Sequence, residues 1–149
     1  MKVLDRGRIH IAAVALGMCD RLQSMTNNYA LERKQFGKTL SEFQLVQGMI
    51  ADSQVDALAA TGLMDAAARK YDNGEVVTLE AAACKYFASE AVGRIADRAV
   101  QIHGGAGYMA EYKVERFYRD VRLLRIYEGA SQIQQVIISR EVLKRAAQG

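Results

Sequence analysis

The chain has 149 residues, half of them hydrophobic and a quarter charged, with no proline and no tryptophan. That length supports one domain, residues 1–149, with a core of its own. The net charge of +3 is mild: basic residues are interleaved with acids, which excludes a nucleic-acid interface of basic and aromatic residues, and no apolar run reaches the length of a membrane span.

The absence of proline favours long, unbroken helices, and the hydrophobic period is helical throughout. Ile9, Ala12, Ala13, Leu16, Cys19 and Leu22 mark the apolar face of a first helix over roughly residues 4–32. Residues 36–39 read as a connector. Ser41, with Gln44 three residues later, has the spacing of a capping box. A second helix then runs to about Asp72, with Phe43, Val46, Ile50 and Ala57 on its buried side. Asp72-Asn73-Gly74 stops it, the glycine being available for a left-handed cap.

Thr78 is placed to cap a third helix, with Glu80 in its first turn. This helix is rich in alanine, which permits close approach of neighbours, and it extends to about Ile102. Gly104-Gly105-Ala106-Gly107 breaks the pattern. A short helix over Val114–Val121 follows, and a last one over about Ala130–Ala147. No strand-like alternation stands out. The expectation is an all-α fold, an antiparallel bundle of about four to five helices.

Cys19 and Cys84 lie in helical patterns, with no CxxC and no histidine spacing for zinc. They read as buried, reduced thiols. His10 and His103 are too few and too far apart for a metal site. No charged-then-apolar leader is present at the start, so the cytoplasm is the expected location.

The richest stretch is residues 122–139, centred on Tyr127-Glu128-Gly129. A carboxylate follows an apolar segment and precedes a glycine and a periodic helix. Partly desolvated, such a carboxylate becomes a better base. The bland alternative is an acid favoured by a helix start. Gly104–Gly107 is not a dinucleotide loop, because it follows a helix and no βαβ unit surrounds it. Glycines there are ordinarily caps. Arg33 reads as a solvated arginine or a partner of Glu32, and Asp5 with Arg8 as a helix-start acid beside a surface arginine.

Six segments occur in order: Leu4-Asp5-Arg6-Gly7-Arg8, Arg33-Lys34-Gln35-Phe36-Gly37-Lys38, Phe43-Gln44-Leu45-Val46-Gln47, Gln101-Ile102-His103-Gly104-Gly105-Ala106-Gly107-Tyr108, Glu115-Arg116-Phe117-Tyr118-Arg119-Asp120 and Tyr127-Glu128-Gly129. Together they resemble the C-terminal helical domain of the acyl-CoA dehydrogenases over nearly the whole chain. The resemblance implies an oxidoreductase that converts an acyl-CoA to a trans-2-enoyl-CoA. Glu128 would take the α-proton, and FAD would accept hydride from the β-carbon. Gly129 would lie against the substrate, with Asp5 and Arg8 on the substrate side. Arg33, Gln35, Phe36, Gln44, Gln101, Gly104, Gly105, Ser131 and Gln132 would hold FAD, Arg33 reaching the pyrophosphate of an adjacent subunit. Electron-transfer flavoprotein would be the redox partner, and a homodimer or homotetramer the assembly.

Two positions depart from the family pattern. Some members carry their base on the first helix at the position of Gly7, which glycine cannot provide, so Glu128 is left as the candidate. Ala130 replaces a common threonine and removes one hydroxyl contact to the cofactor. The chain opens inside the first motif, so a fragment or separate subunit is expected, inactive by itself for want of the β domain that completes the flavin site. Two other readings stay open: a non-catalytic helical oligomerisation module, and a related acyl-CoA oxidase.

Overall fold

The computed structural model describes residues 2–148 and, of Lys2, only the backbone. Five α-helices carry the fold: α1 (Lys2–Glu32), α2 (Gln44–Asp72), α3 (Thr78–His103), α4 (Val114–Val121) and α5 (Ser131–Ala146). Brief connections reverse the chain between the long helices, as the bundle expectation required. The main buried stripe of α1 is Asp5, Ile9, Ala12, Ala15, Cys19, Leu22, Thr26 and Ala30, with Ile11 buried beside it; its three- and four-residue steps average to the helical period. Ala13 is exposed. Ala15 takes the place it was expected to fill, because the stripe advances by three at that point.

α3 is the central element and packs against α1, α2, α4 and α5. Ala81, Ala82, Cys84, Ala88, Ala91, Val92, Ile95, Ala96 and Ala99 are all buried. A helix that is apolar on most sides belongs in the middle, and its small side chains let four neighbours approach. Leu22, Ile95, Val92 and Leu124 supply the bulk between them, each contributing roughly 1.5–3 kcal/mol by burial. Arg94 and Arg98 of α3 both reach Asp56 of α2, at 2.6 and 2.7 Å. Lys70 of α2 pairs with Glu80 of α3 at 2.6 Å.

The helix stops follow glycine chemistry. Gly74 has φ +79, its N–H donates to Tyr71 O, and the Glu75 N–H donates to Lys70 O. This is the paired pattern of a left-handed C-cap. Gly104, with φ +58, ends α3.

Three local expectations are corrected. Residues 34–39 form a β-hairpin, β1 (Lys34–Gln35) and β2 (Lys38–Thr39), antiparallel with Lys34 opposite Thr39. Phe36 and Gly37 turn it with φ +51 and +83, the two-residue turn whose twist suits paired strands. The capping box belongs to Thr39 and Glu42 rather than Ser41 and Gln44: Glu42 Oε1 accepts from Thr39 N–H at 2.8 Å. Thr39 is extended at that point, and a 3-10 turn (Leu40–Glu42) intervenes before α2. Thr78 is the first residue inside α3, not its cap. Its hydroxyl is drawn away to a side chain of α1.

Candidate active site

Glu128 sits on a left-handed turn, with φ +54 followed by Gly129 at +87. The N-cap position of α5 is Ala130, so Glu128 is neither a cap nor a first-turn acid. A side chain in this conformation costs about 1–2 kcal/mol, and two buried groups hold it there. Gln134 Nε2 donates to Glu128 O at 3.1 Å and to Gly129 O at 2.9 Å. Lys85 Nζ, from α3, donates to Gly129 O at 2.7 Å. Both side chains are fully buried.

The Glu128 carboxylate lies over Gly7 of α1. A β-carbon added to Gly7 would stand 3.0 Å from Oε2. The absent side chain is therefore what leaves room for the carboxylate. Glu128 is exposed within this chain, so the desolvated surroundings expected for it are not supplied by these five helices. The Tyr127 hydroxyl is pushed up by burial and by the neighbouring Glu128 charge. Burial pushes the Lys85 ammonium down, Glu128 and Glu90 oppose this, and Arg8 adds to it.

Asp5 is buried, and both its oxygens are engaged. Arg8 Nη1 donates to Oδ1 at 2.7 Å, and Thr78 Oγ1 donates to Oδ2 at 3.0 Å. Arg8 is likewise sequestered, with a side chain only 11% exposed, so the surface-arginine alternative fails. A cavity of about 320 Å³ opens beside Asp5, lined by Tyr71, Val76, Val77 and Thr78. Ser131, the first residue of α5, is also buried, and its hydroxyl donates to Glu90 Oε1 at 2.7 Å. Arg125 holds the other Glu90 oxygen at 3.2 Å. Gln132 is exposed.

The remaining expected residues lie at the other end of the bundle. Arg33, Gln35, Phe36 and Gln44 are exposed on and beside the hairpin, Phe36 at 92%. Gln101, Gly104 and Gly105 are exposed where α3 ends. His103 binds the two groups into one end: its ring stacks on Tyr29 with centroids 4.2 Å apart, and Tyr29 donates to His103 O at 3.4 Å. Burial pushes the His103 imidazole down. From Gly7 to Arg33 along α1 is roughly 39 Å at 1.5 Å per residue. The structure thus divides the expected residues into a Glu128 group and an Arg33 group.

The Arg33 group suits a dinucleotide cofactor such as FAD. An exposed guanidinium fits pyrophosphate oxygens, an exposed phenyl ring offers a flat face, and a β-carbon added at Gly104 or Gly105 would meet nothing within 4 Å. Among the described residues, no cluster of histidine, cysteine and acids is suited to a metal ion, and no helix is long and apolar enough to cross a membrane.

Lys85, Gln134 and Glu90 escaped the sequence reading, and Thr78 entered it only as a helix cap. One signal was available for Lys85. It stands in the run Ala81-Ala82-Ala83-Cys84-Lys85, on the period of the core face, where a lysine needs a partner.

Comparison with known proteins is consistent with this geometry. Residues 1–143 match the family model of the acyl-CoA dehydrogenase C-terminal domain. Caffeyl-CoA reductase-Etf complex subunit CarC of Acetobacterium woodii is 48% identical, over 97% of this chain and 38% of that protein. Cyclohexane-1-carbonyl-CoA dehydrogenase of Geobacter metallireducens is 46% identical, over 99% and 39%. Butyryl-CoA dehydrogenase from Megasphaera elsdenii superposes with a TM-score of 0.92 at 39% identity, over 94% of this chain and 37% of that one. The chain spans less than two-fifths of the length of these relatives.

Proposed function

The chain belongs to the acyl-CoA dehydrogenase family through its C-terminal domain, and from that premise we propose that it carries the catalytic base and part of the FAD site of an enzyme interconverting acyl-CoA and trans-2-enoyl-CoA. The observation that carries this reading is the placement of Glu128. Its backbone is pinned in a left-handed turn, and its carboxylate stands against Gly7, where a side chain would crowd it. That is an accessible carboxylate on a fixed stretch of backbone, as a base for the α-proton requires. Flavin, when bound, supplies the two-electron acceptor.

Each group has its part. Gly129 lets the backbone come close to the acyl thioester. Asp5 and Arg8 form a closed pair beside the 320 Å³ cavity and border the substrate side. Ser131 and Gln132 follow the base: exposed Gln132 faces the flavin, while the Ser131 hydroxyl is engaged by Glu90 and leaves only its backbone for the cofactor. Arg33, Gln35, Phe36, Gln44, Gln101, Gly104 and Gly105 hold the adenosine and pyrophosphate side. The separation of roughly 39 Å along α1 favours service to the cofactor of an adjacent copy, hence a homodimer or homotetramer. The direction of reaction depends on the redox partner, since a carboxylate that removes the α-proton can also return it. Electron-transfer flavoprotein is the partner we infer, supported by the Etf complex named for the Acetobacterium relative. A cytoplasmic site suits such a partnership.

The test is Glu128→Gln in a flavin-loaded enzyme containing this domain. Glutamine keeps the size and loses the basicity. Flavin content and acyl-CoA binding should be retained while turnover falls by about 10²–10⁴-fold. Near-normal turnover would overturn the assignment.

A further inference from the structure

A fully buried lysine inside an alanine-lined helix calls for a physical reason. Lys85 is 0% exposed and lies among Ala81, Ala82, Cys84 and Ala88 of α3, all at 0%. An ammonium in such a place is costly unless paired. Its one hydrogen bond among the described residues is to Gly129 O, at 2.7 Å. Yet that carbonyl already accepts from Gln134 Nε2 at 2.9 Å. A neutral donor is therefore in place, and the lysine adds a positive charge beneath the turn that presents Glu128.

The charges around it are of both signs. Glu128 on the turn and Glu90 on α3 attract the ammonium, and Arg8 on α1 repels it. Glu90 is occupied by Arg125 and Ser131. Arg8 is occupied by Asp5. Glu128 makes no ion pair among the described residues and is exposed, whereas Glu90 is half-buried. When a substrate covers that face, water no longer screens the two charges, and their coupling grows.

We propose that Lys85 is a positioning residue for the base: its ammonium pins the Glu128–Gly129 turn from beneath and keeps the Glu128 carboxylate charged when acyl-CoA covers it. This rests on the reading of Glu128 as the base. Lys85 does not touch substrate. It acts through the Gly129 carbonyl and through its field on Glu128.

The experiment compares Lys85→Met, Lys85→Gln and Glu128→Gln in the flavin-loaded enzyme containing this domain. Methionine removes both donor and charge at similar length, and glutamine keeps a donor without the charge. For Lys85→Met, flavin content and acyl-CoA KM should stay near wild type while kcat falls about tenfold to a hundredfold, the scale of a misplaced catalytic group. The acidic limb of its kcat–pH profile should move to higher pH, so part of the loss is recovered in alkali. Lys85→Gln should show the same pH displacement with a smaller loss of kcat. A folded Lys85→Met with unchanged kcat and pH profile overturns the proposal. So does failure of both variants to take up flavin, which would make the lysine a core-building group only. If Glu128→Gln is itself active, the reading of the base fails. If Glu128→Gln is inactive and Lys85→Met is normal, the Lys85 proposal alone fails.

Discussion

Gly129→Ala, measured beside Gly74→Ala, separates the conformational strain of a left-handed turn from the support this particular turn receives. Both glycines are left-handed, with φ +87 and +79, so alanine incurs a similar backbone penalty of about 1–2 kcal/mol at each. At Gly74 the new β-carbon meets nothing within 4 Å, and that penalty is the whole effect. At Gly129 it stands 2.6 Å from Gln134 Nε2, an impossible approach for real atoms. Gln134 is fully buried and has no solvent to swing into. Its amide must abandon the carbonyls of Glu128 and Gly129, a further loss of roughly 1–3 kcal/mol. For a chain of this size each kcal/mol lowers Tm by roughly 2–4 °C. Gly129→Ala should therefore melt roughly 2–12 °C below Gly74→Ala, read by circular dichroism at 222 nm. Equal melting points, or a less stable Gly74 variant, would refute the argument that Gln134 braces the turn.

Three further outcomes are expected. Burial works to raise the Asp56 carboxyl, but the hydrogen bonds from Arg94 and Arg98 outweigh it and hold Asp56 below the ordinary carboxylate range. A lowered folded-state value stabilises the fold above about pH 4 and the gain vanishes as pH falls through it. Asp56→Asn should thus lower Tm at pH 7 by more than it does at pH 2–3, and a pH-independent difference would contradict the linkage. Burial pushes the thiols of Cys19 and Cys84 up to about 12, the charges of Asp20 and Asp56 adding to the effect at Cys19. Iodoacetamide at pH 8 should modify both at least about tenfold more slowly in the native chain than in urea, and equal rates would contradict their burial. Purified alone, the 149-residue chain should be folded, colourless and inactive toward butyryl-, octanoyl- and palmitoyl-CoA with an artificial acceptor, because a chain spanning under two-fifths of its relatives' length offers part of a cofactor's contacts and leaves the entropic cost of binding uncompensated. Yellow protein bleached by substrate would contradict that.

Helix existence, order and stops were legible in the sequence because they depend on local chemistry. The 3.6-residue period marked α1, α2 and α3, Gly74 and Gly104 announced two ends, and Val114–Val121 was placed to the residue. The hairpin escaped because two-residue strands are too short to show alternation. Its signal was only the turn at Phe36-Gly37. Ser41 and Thr78 carried the chemistry of caps, but a nearby 3-10 turn displaced one, and Asp5 claimed the hydroxyl of the other. The motifs around Glu128, Arg33 and Gln101 named candidates without saying which stand together. That was decided by packing α1 against α3, which brings Gly7 under Glu128 across 121 positions of sequence, counted from their numbers. Packing α3 against α5 sets Lys85 beneath Gly129, and the length of α1 sends the Arg33 group to the far end. Contacts of that range have no local propensity to announce them, because they exist only once alanine-rich surfaces have brought the helices close enough to touch.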